Sequence, residues 1–189
     1  MRTRDEQKKD ALFKATIKMV NEIGFAASSV SKIAKTAGVS PSTLYVFFQN
    51  KEDLLVCTYV EIKDRLFHSV MEEFNPDLPI RDVVKGVWFK TYDHIRTHAD
   101  EFDYMEQFAN SPFSALVDRQ ALEEKWRPIR EVIQRGIEQK IIKNADMEIL
   151  AAYLFYPVYR LANFRFCSGE MDDQSLELAF DMAWDAVRF

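Results

Sequence analysis

The sequence predicts an all-α protein, with an N-terminal three-helix helix-turn-helix domain and a C-terminal helical domain. Three observations carry this. Apolar residues recur at helical spacing along nearly the whole chain. No segment sustains the period-two alternation of a strand. Two short helical patterns flank a glycine turn between residues 28 and 51.

That central stretch has a defined layout. Val30, Ile33, Ala34 and Ala37 fall at i, i+3, i+4 and i+7 and form one helical face. Ser28 or Ser29 caps the start by accepting from the free N–H groups of the first turn. Gly38 ends the helix in a left-handed conformation, and Val39 is a single apolar plug. Ser40 caps the next helix, and Pro41 sits in its first turn, where the missing N–H does no harm. Leu44 and Phe48 point inward together, which leaves Ser42, Thr43 and Tyr45 outward. A helix-turn-helix lays its second helix in the DNA major groove. Small hydroxyls allow close approach to base edges, and a tyrosine hydroxyl reaches phosphate. A plain αα-hairpin with a polar outer face is the competing reading of the turn alone.

The run Ile33–Leu54, reading IAKTAGVSPSTLYVFFQNKEDL, resembles the N-terminal signature of the TetR family of bacterial transcription regulators. Ala15, Met19, Val20, Gly24 and Phe25 fit the same family's first helix and its Gly-aromatic end. The resemblance covers roughly the first 55–60 residues. It departs at Phe47, where a Tyr or His that touches phosphate is common. It implies a DNA-binding domain over residues 1–50 and an effector-binding and dimerisation domain over 51–189. It also implies a ligand-responsive regulator, a repressor acting as a homodimer on a palindromic operator. The expected DNA-facing set is Ser28, Ser29, Ser40, Pro41, Ser42, Thr43, Tyr45 and Lys51. Of these, Ser42 and Thr43 face bases, while Tyr45 and Lys51 hold phosphates.

Formal net charge is −5, which argues against a uniformly basic nucleic-acid binder. The charge is unevenly distributed. Residues 1–57 carry nine Lys and Arg against six Asp and Glu, a balance of +3, so the remainder carries −8. A basic end on an acidic body suits one DNA-facing module, although chance clustering of solvated charges gives the same count. Cys57 and Cys167 are too far apart in sequence, and too few, for a metal framework or disulfide scaffold. The N-terminus is polar and charged, and no apolar run reaches the ~18–20 residues of a membrane span. A cytoplasmic protein is expected, with no membrane partner, no metal and no cofactor.

The elements follow in order. Thr3 and Glu6 have capping-box spacing, and Arg2 and Arg4 form a short basic arm or a frayed end. The first helix runs to about residue 23 and ends at Gly24. Asn50 and Asp53 form a second capping box, which places Lys51 at a helix N-terminus suited to an anion. The fourth helix then runs without Gly or Pro to near residue 74, where Pro76 and Pro79 stop it. A fifth helix extends from Pro79 to about residue 98, and a short one carries Phe102, Met105 and Phe108. A helix over 113–139 is expected to bend at Pro128. Another spans 147–167 with Pro157 in its middle, and the last begins at Asp172 or Asp173.

The body is crowded with aromatic residues, which at helical spacing are first of all core. By the family resemblance, Trp88, Tyr92, Met105, Phe108, Trp126 and Tyr159 line an effector cavity. The effector expected is small and apolar, aromatic or a lipophilic cation. The 147–167 helix is apolar on two faces, Leu150, Leu154, Val158 and Leu161 on one and Tyr153, Tyr156, Phe164 and Cys167 on the other. So wide an arc calls for two partners, its own core and a second subunit. The two C-terminal helices are the expected dimer surface. His94 and His98 have the spacing of a metal clamp, but no third ligand has a claim. HExxH, P-loop and GxGxxG motifs are absent, so no enzyme is expected. An all-α adaptor without DNA affinity is the alternative function.

Overall fold

The computed structural model describes residues 4–163, 169 and 171–189. The Thr3 cap, the Arg2 half of the basic arm, Phe164 and Cys167 therefore lie outside the described residues. Among those described, the chain is helical, with one isolated bridge between Ile142 and Arg188. The helices are α1 (Arg4–Ala27), α2 (Val30–Thr36), α3 (Pro41–Phe47), α4 (Lys51–Met71), α5 (Ile80–Thr97), α6 (Ala99–Ala109), α7 (Arg119–Lys125), α8 (Arg127–Glu138), α9 (Met147–Leu154), α10 (Tyr156–Ala162) and α11 (Asp173–Val187). A 3₁₀ turn, Pro112–Leu116, follows α6.

The chain divides into two compact units. The first is Met1–Asp64 with Asp100–Asp118, and the second is Arg65–Ala99 with Arg119–Phe189. The first is larger than the 1–50 module, because α6 and the start of α4 pack into it. The Tyr104 hydroxyl donates to the Leu55 carbonyl at 2.8 Å, inside the protein. Asn21 donates to the Asp100 carbonyl at 2.8 Å and accepts from Gln107 at 2.9 Å. Leu12, Phe13, Ala15, Ile33, Ala34, Leu44, Phe48 and Leu54 form the core of α1 to α4. Full burial of the leucine, isoleucine and phenylalanine side chains among them contributes about 1.5–3 kcal/mol each. Gly24 ends the regular part of α1 at φ 75°, ψ 169°, a conformation that only glycine adopts without strain.

The second unit is built around α5. Trp88 is fully buried, donates its indole N–H to the Leu154 carbonyl at 3.0 Å and meets the Phe180 ring edge-on at 6.0 Å. Against α5 lie α8 and α10, and α9 packs on α11. Lys143 N–H donates to Val187 O at 2.8 Å and Phe189 N–H to Ile141 O at 2.9 Å, which fastens the end of α11 to the loop after α8.

Two expected helices are interrupted. Residues 113–139 form the 3₁₀ turn, α7 and α8 rather than one bent helix. Val117 is extended, and Trp126 leaves helical geometry just before Pro128 enters the first turn of α8. The 147–163 stretch breaks at Phe155, because Pro157 has no N–H to continue the ladder and instead opens α10.

Candidate nucleic-acid interface

The α2–turn–α3 segment is held by its own caps. The Ser29 hydroxyl accepts from Lys32 N–H at 3.3 Å, and the Ser40 hydroxyl accepts from Thr43 N–H at 3.1 Å. Gly38 takes φ 70°, and Val39 N–H donates to the Ala34 carbonyl at 3.0 Å, closing α2. Val39 then packs against the shared core.

The outward face of α3 is made by Pro41, Ser42, Tyr45 and Val46, all exposed. Thr43 is half-buried. The Ser40 hydroxyl lies 2.7 Å from that of Ser42 and 2.8 Å from that of Thr43, so three hydroxyls form one chain at the start of α3. Ser29 is exposed at the start of α2. Ser28 corrects the expectation. It is fully buried, and its hydroxyl donates to the Gly24 carbonyl at 2.7 Å, so it braces the end of α1 instead of facing DNA. Phe47 is turned toward Phe48 and the core, with ring centroids 6.4 Å apart.

Lys51 is also more constrained than the sequence suggested. It opens α4, where Asn50 accepts from Asp53 N–H at 2.8 Å and Asp53 accepts from Gln49 N–H at 2.8 Å. Its ammonium donates to the Phe25 carbonyl at 2.6 Å. Two further donors remain on the ammonium.

Val46 is the residue missed by sequence reasoning. It is 78% exposed, the most open apolar side chain of α3. The signal was present: Leu44 and Phe48 point inward, and a residue two positions from each lies about 200° around the helix from both. An exposed valine in a major groove suits a thymine methyl.

The six residues expected to line an effector cavity are shared between the two units. Met105 and Phe108 belong to the first unit, while Trp88, Tyr92, Trp126 and Tyr159 belong to the second. Trp88 stacks on Tyr92 with ring centroids 6.4 Å apart and its N–H is occupied, so both are core. Trp126 meets Phe67 edge-on at 5.3 Å, and Tyr159 meets Tyr156 at 6.2 Å. His94 and His98 stack at 4.3 Å. His94 is buried, and its Nε2 has no hydrogen-bond partner among the described residues. Burial, then His98 and Arg65, push its pKa down to about 4. Among the described residues, no three His, Cys, Asp or Glu side chains are grouped to hold a metal ion. No helix there is long and apolar enough to cross a membrane.

A capped helix pair on a three-helix core, with a hydroxyl-rich outer face on its second helix, defines a helix-turn-helix regulator. Comparison with known proteins gives the family. Residues 9–56 match the family described as bacterial regulatory proteins, tetR family, and residues 79–188 match the tetracyclin repressor-like C-terminal domain. The chain belongs to the TetR family of transcriptional regulators and is not an enzyme. A crystal structure of a TetR family regulator from Marinobacter aquaeolei is 31% identical, with TM-score 0.87, covering 100% of this chain and 99% of that one. The HTH-type transcriptional regulator YhgD of Bacillus subtilis is 24% identical over 80% of each chain. The fold is shared with FadR of Bacillus subtilis, solved in complex with stearoyl-CoA, at 18% identity, TM-score 0.74 and coverage of 92% and 95%.

Proposed function

We propose that this regulator is a cytoplasmic repressor that binds a palindromic operator as a homodimer and leaves it when a small, largely apolar effector binds. The observation that carries the reading is the outer face of α3, where Ser42, Tyr45 and Val46 stand exposed beside the Ser40–Thr43 hydroxyls. A hydroxyl-and-methyl face of this size reads a few base pairs, and two copies related by a two-fold axis read a palindrome. Lys51 and Tyr45 hold phosphates on either side. DNA-binding and effector-binding roles divide between residues 1–50 and 51–189.

The dimer surface is assigned to the exposed apolar residues of α9 to α11. Ile149, Tyr153, Tyr156, Leu178 and Met182 are 50–67% exposed, a concentration unusual for a surface left in water. Leu150, Leu154 and Val158 are buried on the opposite side and belong to the core. Phe180 is likewise core, so the informative substitutions are Leu178→Asp and Met182→Asp. Light scattering should give a dimer mass for the wild type and a monomer for the double variant. A wild-type monomer at micromolar concentration contradicts the assembly.

Switching is assigned to α4, whose residues belong to both units along one helix without Gly or Pro. Reversing a 99:1 preference for the DNA-competent state takes about 5.5 kcal/mol of differential binding. Burying a few hundred Å² of apolar ligand, at ~25 cal/mol per Å², supplies that order of energy. The stearoyl-CoA complex of FadR, a protein of the same fold, supports an effector with a large apolar part. A thermal-shift screen followed by gel shifts on the hits tests this. If compounds that raise the melting temperature leave operator affinity unchanged, the ligand response is absent.

A further inference from the structure

Several lysines of this chain pair with carboxylates. Lys8 pairs with Asp5 at 3.1 Å, Lys85 with Glu177 at 2.7 Å and Lys90 with Glu73 at 3.1 Å. Lys63, in the middle of α4, differs. It is half-buried, and among the described residues no carboxylate forms an ion pair with it. Its ammonium instead lies over the Tyr59 ring, 5.8 Å from the centroid. That ring is stacked on Phe108 at 4.5 Å and 16°. Phe108 is fully buried and meets Phe25 and Tyr104 at 6.2 and 6.0 Å, so the wall behind Tyr59 is fixed. Burial pushes the Lys63 pKa below the ordinary lysine value, and no neighbouring acid restores it.

We propose that Lys63, set over the Tyr59–Phe108 stack, is the head-group site for a monoanionic amphiphile, a carboxylate with an apolar tail. The proposal rests on the effector-responsive reading above and names the effector's charge. A ring face attracts an ammonium weakly compared with a carboxylate at hydrogen-bond distance. A neutral ligand leaves the ammonium unpaired, and a cation repels it. The lipophilic cations admitted by the sequence are therefore excluded at this position. A polyphosphate fits poorly, since one point charge without an arginine fork meets only one negative group. Val56, Tyr59 and Val60, at i−7, i−4 and i−3 from Lys63, are half-buried and provide apolar surface beside the head.

The test uses three probes with one tail: decanoate, decan-1-ol and decylammonium. Each is titrated calorimetrically into the full chain, its Lys63→Met variant and its Lys63→Arg variant. Decanoate should bind the wild type at least roughly tenfold tighter than the other two, as a charge-assisted contact requires. Lys63→Met should lose that advantage, Lys63→Arg should keep most of it, and decanol should bind all three alike. Melting curves and ligand-free operator binding of Lys63→Met should match the wild type, because removing a desolvated charge leaves the core intact. The head-group assignment is overturned if Lys63→Met binds decanoate as the wild type does, if decylammonium is preferred, or if no probe binds. If decanoate binds through Lys63 but operator affinity does not change, the assignment stands and the effector-responsive reading fails. If decanol and decanoate release the operator equally, the opposite holds.

Discussion

The Lys51 ammonium donates to the Phe25 carbonyl at 2.6 Å, across 26 residues of sequence. The bond ties the start of α4 to the segment after the Gly24 bend, on the scaffold that carries α3. Lys51 therefore has two tasks. It orients the helix pair, and it presents its remaining donors to phosphate. Lys51→Ala should lower the melting temperature as well as operator affinity, and it should weaken specific and non-specific DNA alike. The slope of log K against log salt should fall by about 0.9. Anisotropy titrations at several salt concentrations measure this. An unchanged slope with reduced stability would leave Lys51 a structural residue only.

Gly136 sits inside α8, where alanine would ordinarily favour the helix by about 1 kcal/mol. Here a Cβ would stand 2.8 Å from Ile142 Cδ1 and 3.1 Å from Ile80 Cγ2. Both isoleucines are buried, and their branched side chains have few alternative rotamers. Overpacking of this kind costs about 1–3 kcal/mol, which outweighs the propensity gain. Gly136→Ala should melt below the wild type in a calorimetric scan. A higher melting temperature would show that Ile142 yields freely.

His94 gives the second unit a pH dependence of known sign. Its folded pKa is about 4, depressed from 6.5 chiefly by burial. Between those values the unfolded chain binds a proton that the native state excludes, so stability rises with pH across the window. The stabilisation is complete above about pH 6.5 and is lost as pH falls toward 4. His94→Gln removes the titrating group. Its melting temperature should fall less steeply than that of the wild type between pH 7 and pH 4.5, whatever its starting value. Parallel curves would place a charged His94 in the folded protein.

What the sequence revealed and what it hid follow a physical division. Local hydrogen bonds were legible: the Ser40 cap, Gly38 at positive φ and the Asn50–Asp53 box depend on residues within four positions of each other. The two faces of the 147–163 stretch, with Leu150, Leu154 and Val158 buried and Tyr153 and Tyr156 exposed, followed from helical period. Side chain–backbone bonds across the chain were not legible. Nothing in the spacing says that Lys51 reaches Phe25, or that Tyr104 reaches Leu55 and brings α6 into the first unit. Ser28 and Ser29 could not be told apart, since either could cap α2. The bend at Gly24 decides it by burying Ser28 against the Gly24 carbonyl. A phenylalanine or tryptophan at helical spacing reads the same whether it lines a cavity or fills one, so spacing alone does not assign Trp88, which is fully buried.

The central claim is that the exposed face of α3 reads DNA as one half of a two-fold pair. Selection of duplexes from a random pool, followed by anisotropy titration of the enriched sequence across a salt series, tests it most directly. The account predicts an inverted repeat with half-site centres about 10 bp or a multiple of that apart. It also predicts log K falling linearly with log salt, and loss of sequence preference in a Ser42→Ala/Tyr45→Ala/Val46→Ala variant that retains its fold. No enriched sequence, or enrichment that the triple variant preserves, would contradict it.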